Sequence, residues 1–152
     1  MAFGHIIPRP EIPDTDDGYL EELAKNIFRV GFNWIVVEER WPDIQEAFTE
    51  FQIAKVAAFT DEDVARLVDN SKIIRHRKKI GAIIANAQLI KAIVNEHGSF
   101  GQYLATFRDD PYPVRRDRIA DSFRHLGKTG AFCFLYCVNE KVPSWDDRFT
   151  EV

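Results

Sequence analysis

Ile73 to Val94 reads IIRHRKKIGAIIANAQLIKAIV. Its apolar residues Ile73, Ile80, Ile83, Ile84, Ala87, Ile90 and Val94 recur at helical steps, which puts them on one stripe of a long helix. A stripe of that length has to be buried by other elements, so the rest of the chain is read as packing around it. The first turn and the opposite face carry Lys72, Arg75, Arg77, Lys78 and Lys79, a cationic cluster that suits phosphates, or plain solvent if nothing meets it. On one continuous helix Arg75, Lys78 and Lys79 share a face and Arg77 points elsewhere. His76, one turn before Ile80, reads as a packing histidine.

The chain has 152 residues, 45% of them hydrophobic, with twelve Phe, enough for one domain with a sizeable core. Twenty basic against 24 acidic residues give a net charge of −4, which excludes a uniformly basic nucleic-acid binder and leaves only a local patch for that task. Cys133 and Cys137, the only cysteines, stand four apart in an apolar run and read as small buried thiols. That usage fits a reducing cytoplasm. No stretch approaches the roughly twenty apolar residues of a membrane span, and the N-terminus lacks a basic start followed by an apolar run.

Residues 1–16, with Pro8, Pro10 and Pro13, are expected to form an extended arm, and residues 17–152 a single all-helical domain. Tyr19, Leu20, Leu23, Ile27 and Phe28 give an amphipathic helix capped by Asp16 or Asp17. Gly31-Phe32-Asn33-Trp34 marks a break or a close helix contact, and Pro42 suits the first position of a further short helix carrying Ile44, Ala47, Phe48 and Phe51. Thr60 to Asp63 has the form of a capping box. Gly98 ends the central helix, and Ser99 caps the next with Gln102 at the capping-box position. Asp109 to Pro113 is a loop, followed by the polar, Arg-rich stretch of Arg115, Arg116, Arg118 and Arg124. AFCFLYCV, residues 131–138, suits a strand by periodicity and a buried helix by context. No segment alternates with hairpin turns, so the fold class is all-α, a compact domain of about eight helices.

With its blocks in this order, the sequence resembles the bacterial 3-methyladenine DNA glycosylase I family of the helix-hairpin-helix glycosylase superfamily. Gly31-Phe32-Asn33-Trp34 with the later Ala47-Phe48 is similar to the family's Gly-Leu-Ser-Trp segment. Val64 to Ala87, then Gly98-Ser99-Phe100 and Tyr103-Leu104, carries the most specific likeness, and Leu126-Gly127-Lys128-Thr129 resembles the hairpin that lies on the DNA backbone. The resemblance implies a monofunctional enzyme that flips an alkylated purine such as 3-methyladenine out of duplex DNA and hydrolyses its glycosidic bond. It implies Trp34 as the stacking surface. Phe28, Phe32 and Asn33 stand beside it in sequence as the substrate contacts that a base pocket needs, although Phe28 suits a core position better. It also implies Lys128 and Thr129 as backbone or phosphate contacts, while the cationic cluster itself offers Arg75, Lys78 and Lys79 as DNA-binding candidates.

Two departures stand out. The family's base-contacting glutamate falls at Asn26, which donates and accepts hydrogen bonds but is no carboxylate. The family's zinc lies between the chain ends, where this sequence offers His5 in the arm and no His or Cys after Cys137. No metal and no cofactor are therefore expected. Superfamily members place an activating Asp after the helix that follows the hairpin, where Asp146 stands, so Asn26 and Asp146 are the catalytic candidates. The expected protein is a monomer working on double-stranded DNA with alkylated bases. The competing reading is a helix-hairpin-helix module that binds DNA or damage and has lost catalysis.

Overall fold

A computed structural model describes residues 8–152. Among them the regular structure is entirely helical: α1 (Asp16–Arg29), α2 (Trp34–Ala47), α3 (Ile53–Val56), α4 (Asp61–Asp69), α5 (Arg77–His97), α6 (Phe100–Ala105), α7 (Tyr112–Ser122) and α8 (Gly127–Cys137). His5 lies outside the described residues, and no described helix is long and apolar enough to cross a membrane.

α5 is the centre. Ile80, Ile83, Ala87 and Ile90 are fully buried, and the helix packs against α1, α3, α4 and α6, while α8 packs against α1 and α7. The central helix is shorter at its start than the periodicity suggests. It opens at Arg77, capped by the His76 side chain, whose Nδ1 accepts from the Lys79 N–H at 3.2 Å. Ile73 and Ile74 are buried ahead of it in irregular chain. Arg75 thus lies outside the helix and shares no helical face with Lys78 and Lys79. His76 is a cap and is exposed, not a packing residue.

Three other boundaries differ from expectation. Thr15 caps α1, its Oγ1 accepting from the Gly18 N–H. Asp16 and Asp17 instead reach across the fold, accepting from the backbone N–H of Phe100 at 2.8 Å and of Ile53 at 2.9 Å, where they tie down the starts of α6 and α3. α2 runs unbroken through Pro42, so no separate helix begins there. Arg115, Arg116 and Arg118 of the Arg-rich stretch are helical and Arg124 follows in the hairpin, while α7 begins inside the expected loop with Pro113 in its first turn. The Thr60–Asp63 capping box, the Gly98 stop and the Ser99 cap stand where the sequence puts them.

α5 also carries two buried polar side chains seven residues apart, and each holds one side of a cleft. Lys79 Nζ donates to the carbonyls of Phe28 at 3.1 Å and Val30 at 2.6 Å, which are left without a following turn where α1 ends. Asn86 accepts from the Arg124 N–H at 2.8 Å and donates to the Arg124 carbonyl at 3.1 Å, pinning the hairpin between α7 and α8.

Candidate functional site

The first wall of the cleft is the turn between α1 and α2. Val30 closes α1 by donating to the Asn26 carbonyl, Gly31 takes φ +67°, which glycine adopts without a Cβ penalty, and Asn33 caps α2 by accepting from the Ile35 N–H at 2.9 Å. This turn thrusts Phe32 outward, 43% exposed, with Lys79 Nζ 5.9 Å from its ring. Asn26 and Trp34 belong to different helices yet meet at the same opening.

The second wall is the first part of α8. Gly130 packs tightly there: a Cβ would fall 2.8 Å from Leu126 Cδ1, so the Leu126 side chain would have to shift. Thr129, Cys133 and Trp145 complete this side. The cleft between the walls has a volume of about 640 Å³, within the range of small-ligand sites. A smaller groove of about 400 Å³ adjoins it, shares Phe32 and Val36, and carries Arg40, Arg75 and His76.

One buried polar atom of the cleft is left without a partner among the described residues. Asn26 is 1% exposed, and its Nδ2 donates to the Glu22 carbonyl at 2.8 Å, but its Oδ1 has no hydrogen-bond partner. Such an orphaned acceptor costs about 1–3 kcal/mol if nothing ever meets it. Arg29 is 5% exposed. Its guanidinium lies over the Trp34 ring at 4.9 Å, one N–H donates to Cys137 Sγ at 3.8 Å, and another nitrogen stands 3.7 Å from Glu38. No carboxylate lines the cleft among the described residues. Burial pushes the Cys133 thiol up to about 12 and the Cys137 thiol up to about 11, so in the structure as it stands both thiols are protonated at neutral pH. Among the described residues no three His, Cys, Asp or Glu side chains come together as a ligand set.

The sequence-derived candidates divide accordingly. Asn26, Trp34, Phe32 and Asn33 line the cleft, and so does Thr129. Phe28 does not: it is fully buried, edge-on to Trp41 and Phe48 in the core, and cannot touch a substrate. Lys79 is buried and spent on two carbonyls, which leaves it no phosphate to meet. Asp146 is exposed and lies outside the lining, whereas its neighbour Trp145 is part of the wall. Arg75 and Lys78 are exposed, and Arg75 lines the adjoining groove. Lys128 is exposed, with its Nζ 3.5 Å from Glu151 and 4.0 Å from Asp117. Sequence reasoning misses Arg29 and Trp145. Arg29 is detectable, because Glu22, Asn26 and Arg29 make a polar stripe at steps of four and three on an otherwise apolar helix face.

A family model described as methyladenine glycosylase matches residues 11–130, which take in α1 to α7, the hairpin and the start of α8. The chain belongs to the methyladenine glycosylase family. DNA-3-methyladenine glycosylase 1 of Escherichia coli (strain K12) is 42% identical over 78 residues, which are 51% of this chain and 42% of that protein. A DNA-3-methyladenine glycosylase of Haemophilus influenzae is 33% identical over 96 residues, 62% of this chain and 52% of its own. The chain thus aligns with about half the length of these relatives. The solved 3-methyladenine DNA glycosylase I of Staphylococcus aureus superimposes with a TM-score of 0.74 at 26% identity, covering 90% of this chain and 82% of that one. A variant of such an enzyme in complex with 3-methyladenine gives a TM-score of 0.76 at 25% identity, covering 94% and 86%.

Proposed function

We propose that this chain is a monofunctional DNA glycosylase, which takes an alkylated purine out of duplex DNA into the cleft and hydrolyses its N-glycosidic bond. The observation that carries the reading is the cleft itself, with Trp34 and Trp145 in its walls and the unpartnered Asn26 Oδ1 buried inside. Aromatic surface and a few unmet hydrogen-bonding groups are what an extruded base needs. Phe32, exposed at the mouth, suits the gap that the flipped nucleotide leaves in the stack. Arg75 and Lys78 supply phosphate contacts on one side. On the other, the N-terminus of α8 presents backbone N–H groups beside Thr129 and Lys128. The Lys128 ammonium lies 3.5 Å from Glu151 and 4.0 Å from Asp117, so a backbone contact there exchanges these carboxylates for phosphate.

The names of the relatives support the same reaction class, and the cytoplasm and a monomeric state fit an enzyme of this size working on DNA. The replacement of the family's glutamate by Asn26, with no acid in the cleft lining, favours the alternative of a catalytically silent damage binder enough to make it the rival outcome. Duplexes that are chemically methylated or carry a single etheno adduct separate the two. Release of free purine above a no-enzyme control is expected, falling about a hundredfold in Trp34→Ala, in line with loss of a positioning surface. Binding of these duplexes with no release would establish the silent binder.

A further inference from the structure

We propose that the cleft selects uncharged purine adducts with hydrogen-bond acceptor edges over permanently cationic methylated bases, and that Arg29 is the residue that sets this preference. The inference rests on the glycosylase reading and names the substrate class within it. Arg29 is a cation at the end of α1, 5% exposed, lining the cleft with its guanidinium over the Trp34 ring at 4.9 Å. The nearest anion to it is Glu38 at 3.7 Å, but the Glu38 side chain is half exposed and outside the lining, so water screens it. A base that carries its own positive charge therefore enters beside a buried guanidinium with no carboxylate among the described lining residues. Glu22, the partly buried acid whose field reaches Arg29 from below, also lies outside the lining, and burial favours its neutral form. A neutral purine finds an N–H donor in Arg29 for its ring nitrogen or carbonyl acceptor. A purine with a ring N–H, such as hypoxanthine, also has an acceptor available in the Asn26 Oδ1.

The chemistry runs the same way. When the C1′–N9 bond of a cationic base breaks, the electron pair neutralises the base, and the departing molecule needs no help. When the base is neutral, the same pair leaves it anionic. Negative charge then develops next to Arg29, which holds it until a ring nitrogen takes up a proton, while water bonds to C1′ and gives its own proton to solvent. An arginine aimed at charge that appears only in the transition state lowers the barrier for that class alone.

Two readouts test this and separate it from the activity. In the first, tryptophan fluorescence of the protein is titrated with 9-methylhypoxanthine, a neutral purine, and with the permanently charged 3,9-dimethyladeninium ion. The neutral ligand is expected to bind about tenfold tighter or more, as repulsion between unit charges a few ångströms apart at an effective dielectric of about 20 allows. The gap should close in Arg29→Gln, with circular dichroism showing that the variant is folded. In the second, excision from etheno-adenine duplexes is compared with release of 3-methyladenine from methylated DNA. A wild-type preference for the cation in the titration, or an equal affinity for both, overturns the inference even if bases are excised. Neutral preference without excision leaves it standing and removes the glycosylase activity. Binding of neither ligand refutes both.

Discussion

α5 and the cleft both bury polar groups, and they treat them in opposite ways. On α5, Lys79 and Asn86 make two hydrogen bonds each to backbone groups of α1 and of the α7–α8 hairpin. At the cleft, Asn26 leaves an acceptor unmet, and Arg29 makes a long contact to sulfur and an ion pair with a half-exposed acid. The difference separates polar burial that builds the molecule from polar burial that awaits a ligand. A polar side chain whose partners are all backbone lowers the energy of the fold, whereas one left unpaired is a standing cost that a bound molecule can relieve. The two regions are also coupled in space, because Lys79 and Asn86 hold the two walls of the cleft that Asn26 and Arg29 line.

The sharpest way to break this contrast is at Asn86. Asn86→Leu keeps the volume roughly constant but leaves an N–H and a carbonyl of Arg124 without their partner. Loss of two such bonds should cost about 3 kcal/mol, seen as a fall in the denaturant midpoint at unchanged slope. A near-neutral result would mean that the hairpin is held by packing alone. Next comes Lys79→Met, expected to cost about 2 kcal/mol through the stranded carbonyls of Phe28 and Val30. Its second readout matters more: the dependence of DNA affinity on salt should not change. Neutralising Arg75 and Lys78 together should do the reverse, leaving stability alone and lowering the slope of log affinity against log salt by roughly 0.9 for each phosphate no longer neutralised. A drop in that slope for Lys79→Met would place its ammonium on DNA after all.

How much of this is legible in the sequence follows from what each signal depends on. The central helix, the Thr60 box and the Gly98–Ser99 junction rest on local pattern, and they are where periodicity and capping chemistry put them. The start of α5 misleads because Ile73 and Ile74 are buried without being helical, and an apolar residue at a helical spacing looks the same in either state. α2 passes through Pro42 although a proline in that pattern reads as a helix start. Trp34, Phe32 and Asn26 are found through a resemblance, and the cleft brings them together. Phe28 and Lys79 show the limit of that route. They lie within a few residues, or one contact, of the cleft, yet the direction of a side chain is decided by which neighbouring element covers it. Arg29 carries a signal of its own, since a basic residue in step with Glu22 and Asn26 on an apolar face has to be buried with them.

The smallest effect expected tests that stripe at its lower end. Glu22 is a partly buried carboxyl one turn before Asn26, with Lys25 and Arg29 as neighbouring cations and Glu21 and Glu38 as neighbouring acids, and Cys137 also lies within its field. Burial outweighs the two cations and raises its pKa above the ordinary value of 4.5. Between the ordinary and the raised value the folded chain therefore binds more protons than the unfolded one, and stability falls as pH rises through that window. Glutamine keeps the shape and removes the charge. The melting temperature of Glu22→Gln relative to wild type should thus rise between pH 4 and pH 7, with the two proteins alike at the acid end, where both side chains are neutral. A difference that shrinks with rising pH would mean that Lys25 and Arg29 hold the carboxylate more firmly than burial opposes it. Arg29 would then be neutralised from below, and the stripe under the cleft would belong with the saturated polar groups of α5.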